Sequence, residues 1–207
     1  MSAARMDGKI YHDFMNAGFR RSGRMIYQPI CAGCRRCTPI RVPVDGFVMS
    51  KSQRRVARRN GDLGVSISQP HLTDEKFHLY RAYLADRHDG NQDATHDGFA
   101  AFLYDSPVDS LEFEYRLPGG KLVAVGICDV CDRSLSSVYF YFDPTQSPRG
   151  LGNFGVLQEI GFCREHGIPH LYLGYWVGDA PAMSYKTSFR PCELLGTDGL
   201  WRAVGTT

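Results

Sequence analysis

The chain has 207 residues, of which 43% are hydrophobic, and a formal net charge of +2. This length favours one large domain or two small ones, with enough apolar residues for a packed core. The sequence has no apolar run of about 18 residues that would predict a membrane span, and its first residues lack the apolar segment of a secretory signal. We therefore expect a cytoplasmic protein whose seven cysteines are thiols or ligands and not disulfides.

Positive charge is concentrated in segment 20–60, where arginine and lysine are frequent and Asp45 is the single acidic residue. Such asymmetry indicates a polyanionic partner, of which nucleic acid is the most obvious. The alternative is a solvated helix face, because lysine and arginine are common there.

Short helices and strands alternate in the first part of the chain. The expected elements are a helix at 11–17 closed by Gly18, strands at 24–29 and 38–49, a helix at 52–59 and a strand at 64–70. Two prolines limit segment 38–49 to an edge strand at best. Ser52 is expected to cap the helix that follows it.

A meander of strands dominates the second part. Thr73 is expected to cap a helix that carries Phe77, Tyr80 and Leu84 at helical spacing. A polar loop at 86–98 and a short helix at 99–105 come next. The remaining expected elements are three antiparallel strands between 111 and 142, a helix at about 150–166 with Phe154, Leu157, Ile160 and Cys163 on one side, and a strand at 169–177.

This order of three strands, a glycine-rich turn, a helix and a strand resembles the acyltransferase fold of N-acetyltransferases. In that fold the turn before the helix binds phosphate oxygens through backbone N–H groups and the helix end. The resemblance assigns this task to Arg149, Gly150 and Gly152. Tight helix–strand packing is the alternative reason for the two glycines.

Longer strings are more specific than the fold. LSSVYFYFDP, LGNFGVLQEIGFCREHGIPHLYLGYWV and MSYKTSFRPCELL are similar to the C-terminal half of the arginyl/leucyl-tRNA–protein transferase family. NAGFRRSGRMIYQPICAGCRRCTPIRVPV, followed by SKSQRRVARRN, is similar to the family's Cys-bearing region. The resemblance spans roughly residues 10–201, and the compact length and the GYWV string resemble the bacterial branch.

The resemblance implies an α+β fold. An N-acetyltransferase-like mixed sheet flanked by helices is expected at 66–207, with a smaller, basic, Cys-containing region at 1–65. It also implies an aminoacyltransferase that moves leucine from leucyl-tRNA to proteins beginning with Asp or Glu, marks them for degradation and requires no cofactor. The alternatives are arginine as the transferred residue, an acetyl-CoA-dependent N-acetyltransferase, or a redox- or metal-responsive nucleic-acid-binding protein.

The implied reaction is aminolysis of an activated ester, so it needs alignment, a neutral amine and donors for the oxyanion, but no enzyme nucleophile. Asp143, at the end of the third strand, is the candidate base, although Asp-Pro sequences also start turns. Tyr141 offers a hydroxyl. By strand alternation Tyr139 and Tyr141 share one face, and Phe140 and Phe142 share the other.

Aromatic and cationic residues near the C-terminal end of the sequence are candidates for substrate binding. Tyr175 and Trp176 lie where acyltransferase strands separate, and they could stack the terminal adenosine, line a leucine pocket or pack in the core. Lys186 or Arg190 is expected to bind the acidic side chain of the acceptor, or else tRNA phosphates. An apolar pocket fits leucine, whereas a buried arginine would need an acidic partner.

The basic helix is a candidate platform for tRNA phosphates, with Arg20 and Arg21 as additions to it. Its residues are Lys51, Arg54, Arg55, Arg58 and Arg59. Arginines four positions apart on a helix form two basic ridges, and such contacts give affinity that weakens with salt.

Cys31, Cys34 and Cys37 form a CxxCxxC string beside Arg35 and Arg36. Zinc and four-iron clusters normally require four ligands, so three thiolates leave a Zn or Fe–S site doubtful. The loop is instead expected to be regulatory, redox-sensitive or substrate-positioning. Cys128 and Cys131 are expected to be packing residues.

Overall fold

The computed structural model describes residues 5–87 and 94–205. Helices α1 to α5 span Gly8–Asn16, Lys51–Arg59, Asp74–Arg87, His96–Phe99 and Leu151–Glu165. Strands β1 to β10 span Arg20–Ser22, Met25–Tyr27, Thr38–Pro43, Gly64–Ser68, Ser110–Arg116, Leu122–Cys131, Ser134–Phe142, His170–Trp176, Glu193–Leu195 and Trp201–Ala203. A π-helical turn covers Ala100–Tyr104, and 3₁₀ turns cover Pro144–Arg149 and Pro181–Ser188.

An eight-stranded mixed sheet has the order β10-β9-β3-β8-β7-β6-β5-β4. Strands β5, β6 and β7 form the expected antiparallel meander. The pairing of β7 with β8 is parallel, as expected when a helix connects two neighbouring strands. Here the connection contains α5. Strands β1 and β2 form a separate hairpin.

Strands β7 and β8 separate soon after they meet. Their pairing covers only Ser134–Ser136 against His170–Tyr172. Just beyond this point β7 carries one extra residue, Val138, opposite the step from Ile127 to Cys128. Such a bulge bends a strand and redirects its side chains. A cleft therefore opens in the middle of the sheet.

The hydrophobic core lies on both faces of the sheet. Phe154, Leu157, Ile160 and Cys163 of α5 are buried in the main cluster, as their spacing predicts. A Cβ on Gly155 would lie 2.4 Å from the Phe140 ring, so α5 packs very closely on β7. On the other face, Tyr80 and Leu84 of α3 pack in a second cluster with Tyr139 and Tyr141. The alternation expected for β7 is confirmed.

Strand β3 differs from its prediction because it lies inside the sheet, between β8 and β9. The reason lies in which residues of β3 pair with β9. Only Ile40 and Arg41 of β3 pair with β9, and neither is a proline. Pro39 and Pro43 lie near the two ends of the strand, where the missing N–H donors leave the contact with β9 intact.

The cap of α2 also differs from its prediction. Ser50, not Ser52, precedes the helix, and its hydroxyl accepts a bond from the Gln53 N–H at 3.3 Å. The Gln53 side chain accepts one in return from the Ser50 N–H at 2.8 Å. This reciprocal pair is a capping box, whose Ser-x-x-Gln signature begins two residues before Ser52.

Segment 1–65 and the rest of the chain share one core, because the main cluster includes Ile40, Val42 and Leu63 together with residues of α5. The loop expected at 86–98 lies partly outside the described residues, and α4 occupies its end. Among the helices described here, none has the length and apolar character needed to cross a membrane.

Candidate active site

Two adjoining cavities occupy the cleft between β7 and β8. The first, here called the strand cavity, is about 330 Å³ and is lined by Arg20, Tyr139, Gly174, Tyr175 and Lys186 among others. The second, here called the helix cavity, is about 420 Å³ and lies against the start of α5. The residues common to both cavities are Ser137, Phe140, Val156 and Tyr185.

The strand cavity is cationic. Arg20 is 5% exposed, and its guanidinium bonds only to carbonyl oxygens, including that of Gly174 at 3.1 Å. Its charge also lies 5.3 Å from the ring centres of Tyr172 and Tyr175, within the range of a cation–π contact. Within residues 5–87 and 94–205 no carboxylate pairs with Arg20. Burial lowers the pKa of this guanidinium.

Lys186 is the second cation of the strand cavity, which it enters from the 3₁₀ turn Pro181–Ser188. Its Nζ donates to the Tyr175 carbonyl oxygen at 2.7 Å. Burial, assisted by the charge of Arg20, lowers the pKa of Lys186 to about 8. A buried guanidinium beside a half-buried ammonium, with no acid paired to either among the described residues, is costly unless an anion binds. The cavity therefore fits a carboxylate ligand.

Arg20 and Arg21 are not part of the basic platform, and that expectation is wrong. Both are 5% exposed. Arg21 pairs with the buried Asp129 through two bonds of 2.8 and 2.9 Å. The charge pattern of the sequence does not distinguish these buried arginines from surface ones, because their partners lie far along the chain.

The other substrate-binding candidates lie apart. Tyr175 lines the strand cavity and donates to the Gly18 carbonyl oxygen at 2.8 Å, whereas Trp176 packs against the main cluster. Arg190 bonds to the carbonyl oxygens of Val204, at 3.2 Å, and Gly205. Of the two residues predicted to bind the acidic side chain of the acceptor, Lys186 is the one that lines the strand cavity.

The glycine-rich turn lines the helix cavity through Gly150, Gly152 and Asn153. Gly150 has a φ of 69° and caps α5, a conformation in which a side chain would be strained. This arrangement presents the first N–H groups of a 15-residue helix to the cavity. Phe140, Phe142, Leu151 and Val156 give its wall an apolar part.

Arg149 does not point freely at the helix cavity. Its guanidinium binds both oxygens of Asp62, at 2.8 and 2.9 Å. The bonds to Asp62 raise the pKa of Arg149 and lower the pKa of Asp62. The assignment of Arg149 to phosphate binding stays a prediction, and the observed contact is with the loop after α2.

Asp143 and Tyr141 are both engaged by protein groups. The Asp143 carboxylate accepts bonds from Lys121 Nζ at 2.7 Å and from Thr145, through its N–H at 3.0 Å and its hydroxyl at 2.6 Å. Burial raises the pKa of Asp143, but these bonds outweigh it and hold the pKa below its usual value. The Tyr141 hydroxyl lies 3.3 Å from that of Tyr104. Their catalytic roles stay predictions.

The basic helix α2 runs to the edge of the helix cavity. All five of its predicted tRNA-binding residues, Lys51, Arg54, Arg55, Arg58 and Arg59, are exposed. Asn60, which follows the helix, donates to the Arg149 carbonyl oxygen at 2.9 Å, and Val56 lies beside Gly150. Helix α2 is therefore in direct contact with the glycine-rich turn.

The Cys loop lines a third cavity, here called the loop cavity, of about 650 Å³. Cys31 and Cys37 are exposed, and Cys34 is half-buried. In the described part of the chain these thiols do not belong to any group of three or more ligand atoms close enough to share one ion. A Zn or Fe–S site at these three thiols stays a prediction. Cys128 and Cys131 are buried, as expected of packing residues.

One cluster in the described residues does have ligand spacing, namely His71, Glu112 and Glu114. The ammonium of Lys76 already lies among them, bonded to Glu112 and 2.8 Å from Glu114. Lys76 is fully buried. The cluster is therefore an internal ion-pair network that joins α3 to β5.

The family model for the N terminus of arginine-tRNA-protein transferase matches residues 1–55, and the model for its C terminus matches residues 75–196. The chain belongs to the arginine-tRNA-protein transferase family. It is an aminoacyltransferase, as the strings in its sequence predict.

Its relatives include enzymes of the bacterial branch. An aspartate/glutamate leucyltransferase of Thiobacillus denitrificans is 42% identical over 202 residues, which cover 96% of this chain and 83% of that protein. Another, of Pseudomonas fluorescens, is 40% identical over 192 residues, covering 92% of this chain and 81% of that protein.

Solved structures confirm the N-acetyltransferase-like fold. L-PGS from Bacillus licheniformis superposes with a TM-score of 0.55 at 15% identity, covering 88% of this chain and 53% of that one. FemX superposes with a TM-score of 0.54 at 11% identity, covering 86% of this chain and 62% of that one. At such identities the likeness concerns the fold alone.

This member of the family has a further candidate residue that the sequence reading missed. Glu159 of α5 is 1% exposed and lines the helix cavity. A signal was present in the sequence: Glu159 lies one turn after Gly155 and one turn before Cys163, in register with buried positions of the helix. An acid at such a position is unusual unless it has a partner.

Proposed function

We propose that this chain transfers leucine from leucyl-tRNA to the α-amine of proteins that begin with Asp or Glu. The observation that carries the proposal is the strand cavity, where Arg20 is buried, Lys186 is half-buried and neither is paired with a described acid. The names of the relatives that are 40–42% identical support it. Such an enzyme acts in the cytoplasm, where aminoacyl-tRNA is used. Its product carries an N-terminal leucine that marks it for degradation.

The acceptor occupies the strand cavity in this proposal. Its Asp or Glu carboxylate is paired with Lys186 and Arg20, which places the neighbouring α-amine near the residues that the two cavities share. A neutral side chain would leave the two cations uncompensated, and a lysine side chain would add a third positive charge. Both are disfavoured in a buried site.

The donor occupies the helix cavity and the surface beside it. Phosphates of the tRNA acceptor arm bind the exposed cations of α2, and the 3′ end reaches the glycine-rich turn before α5. The apolar wall formed by Phe140, Phe142, Leu151 and Val156 accommodates the leucyl side chain. Attack by the acceptor amine on the ester carbonyl forms an amide and releases the 3′ hydroxyl of the tRNA. The enzyme contributes mainly alignment and exclusion of water.

The decisive experiment offers labelled leucyl-tRNA, and arginyl-tRNA in parallel, to peptides that begin with Asp, Glu, Lys or Ala. We expect leucine to be transferred to the Asp and Glu peptides only. Transfer to the Lys peptide, or arginine as the preferred donor, would overturn the assignment. An acetyl-CoA reaction with no donor tRNA serves as the test of the acetyltransferase alternative.

A further inference from the structure

One carboxylate oxygen of Glu159 accepts hydrogen bonds from the protein, and the other has no partner among the described residues. Oε1 accepts a bond from the Ser137 hydroxyl at 3.1 Å and from the Cys128 thiol at 3.4 Å. Oε2 is buried and has no hydrogen-bond partner among the described residues. Ser137 lines both the strand cavity and the helix cavity. The carboxylate therefore lies at the boundary between the two cavities.

The fold itself does not require a carboxylate at this position. A glutamine would have the same shape, and its carbonyl oxygen could accept the same bonds from Ser137 and Cys128. No described lysine, arginine or histidine forms an ion pair with Glu159. A buried carboxylate without a cation is costly, and burial raises its pKa to about 7. A glutamine would carry an amide nitrogen in place of Oε2, and Oε2 is the oxygen that has no partner among the described residues.

The two substrates of the reaction both carry an α-ammonium group close to the reacting centre. In the donor, this group is attached to the carbon next to the ester carbonyl. In the acceptor, it is the precursor of the attacking amine. Since the donor is expected in the helix cavity and the acceptor in the strand cavity, the ester carbonyl and the amine have to meet at the boundary. Glu159 and Ser137 form a hydrogen-bonded polar pair at that boundary.

We propose that the carboxylate of Glu159 binds an α-ammonium group at the boundary between the two cavities. This inference rests on the proposed function, and it assigns a substrate-binding role that positions the reacting groups. The ligand class is an amino-acid ester or a peptide with a free α-amine. An ammonium bound at Oε2 compensates the buried charge and provides the donor that this oxygen otherwise lacks.

The test compares binding of ligand pairs that differ only in the α-amine. One pair is leucyl-tRNA and 2-hydroxy-4-methylpentanoyl-tRNA, in which a hydroxyl replaces the amine. The other is a peptide beginning with Asp and the same peptide with a succinyl group in place of Asp, which keeps the side-chain carboxylate. Wild-type protein should bind the amine form of at least one pair roughly ten times more tightly, as a charge-assisted bond allows.

The variant Glu159→Gln should reduce that ratio to about one, because it retains the shape and the Oε1 contacts but loses the charge. The pair that responds identifies whether donor or acceptor supplies the ammonium. Ratios that stay at the wild-type value for both pairs would overturn the proposal. Glu159→Asp keeps the charge and should retain part of the discrimination, which separates charge from simple damage to packing.

A measurement on the wild-type protein keeps the test valid if Glu159→Gln does not fold. Lowering the pH from about 7.5 to 5.5 protonates a carboxyl with a raised pKa, so the ratio for the responding pair should fall severalfold. The other titratable groups that face Glu159 stay neutral in this range, because burial raises the pKa of each: Tyr115, Cys128, Cys163 and Tyr185. A ratio independent of pH would count against the proposal.

Leucyl transfer by the wild-type protein is measured in the same preparation. If no leucine is transferred to Asp or Glu peptides, the proposed function fails and this inference fails with it. If leucine is transferred normally and the binding ratios do not depend on Glu159, only this inference fails.

Discussion

Arg149 and Asp62 form a two-bond ion pair, at 2.8 and 2.9 Å, that fixes the loop after α2 to the turn before α5. Arg149 also donates to the Arg59 carbonyl oxygen at 3.3 Å. The basic platform and the glycine-rich turn thus hold a set position relative to each other. We predict that this contact gives Arg149 a positioning role in place of the phosphate contact expected from the sequence.

The two roles of Arg149 predict different kinetics for variants of Asp62. If Arg149 acts through the ion pair, Asp62→Ala and Arg149→Ala should each raise the KM for leucyl-tRNA by roughly two- to tenfold, and the double variant should be no worse than either. If Arg149 contacts phosphate directly, Asp62→Ala should leave the KM unchanged or lower it. Steady-state kinetics of the four proteins distinguish the two results.

The exposed cations of α2 predict a specific salt dependence. Arg55 and Arg58 are exposed, and neither forms a salt bridge with a described acid. Replacing both by glutamine should make the slope of the log association constant for leucyl-tRNA against log [KCl] less negative by roughly one to two units, one counterion contact for each arginine. Filter binding across a range of KCl concentrations measures the slope.

The matched control for α2 is the pair Lys9→Gln and Arg133→Gln. It removes the same charge, but Arg133 lies in the turn at the opposite end of β7 from the helix cavity, and Lys9 lies on α1. This control should leave the slope unchanged. A slope that becomes less negative to the same extent in both double variants would mean that net charge, not the platform, governs binding.

Local periodicity was sufficient to predict the meander and α5. The four apolar positions assigned to one side of α5 are all buried, because a 3.6-residue repeat fixes which side chains share a face. Strand β3 was harder, because the effect of its prolines depends on which residues pair with β9. That information lies in residues 193–195, far along the chain.

The candidate site likewise contains some residues that the local sequence predicts and others that depend on distant parts of the chain. The sequence predicts a role for the glycine-rich turn and for Lys186, since each belongs to a recognisable string, and the structure places both at a cavity. Arg20 was misassigned and Glu159 was missed, because burial decides the role of both. Arg20 is buried by β8 and Glu159 by β7, contacts that no short window of sequence contains. Charge alone does not separate a surface residue from a buried one.

Lys186 should determine the preference for acidic acceptors. Lys186→Met removes one of the two cations in the strand cavity, so kcat/KM for peptides beginning with Asp or Glu should fall by roughly ten- to a hundredfold. Because the change acts on the acceptor, the KM for leucyl-tRNA should stay within about twofold. Initial rates with each substrate varied in turn provide both values.

Lys9→Met is the control for Lys186, since Lys9 is exposed on α1 and should have no effect on either constant. An equal loss of activity toward Asp and Ala peptides in Lys186→Met would contradict the specificity role. It would indicate that Lys186 acts through its bond to the Tyr175 carbonyl oxygen instead.

The cysteines should react in two classes. Cys31 and Cys37 are exposed, whereas Cys128 and Cys163 are buried and burial raises the pKa of both thiols. An alkylating reagent at neutral pH should therefore label the exposed pair at least about tenfold faster. Mass spectrometry of digested samples over time gives the rates. Labelling of all sites at one rate would indicate that the native fold opens before reaction.

Glu159 should make stability depend on pH in a defined direction. The pKa of its carboxyl is raised to about 7 by burial, against an ordinary value of 4.5, so between these values the folded state binds more protons than the unfolded state. The contribution of this carboxyl to the free energy of unfolding is fully present below pH 4.5, and it is lost as the pH rises through 7. The free energy of unfolding of the wild type, minus that of Glu159→Gln, should thus fall by about 3 kcal/mol between pH 4.5 and 8. Urea titrations of both proteins measure this difference, with Glu165→Gln, an exposed position on the same helix, as the matched control. A difference that does not change with pH would show that the carboxyl already has a compensating partner in the folded protein.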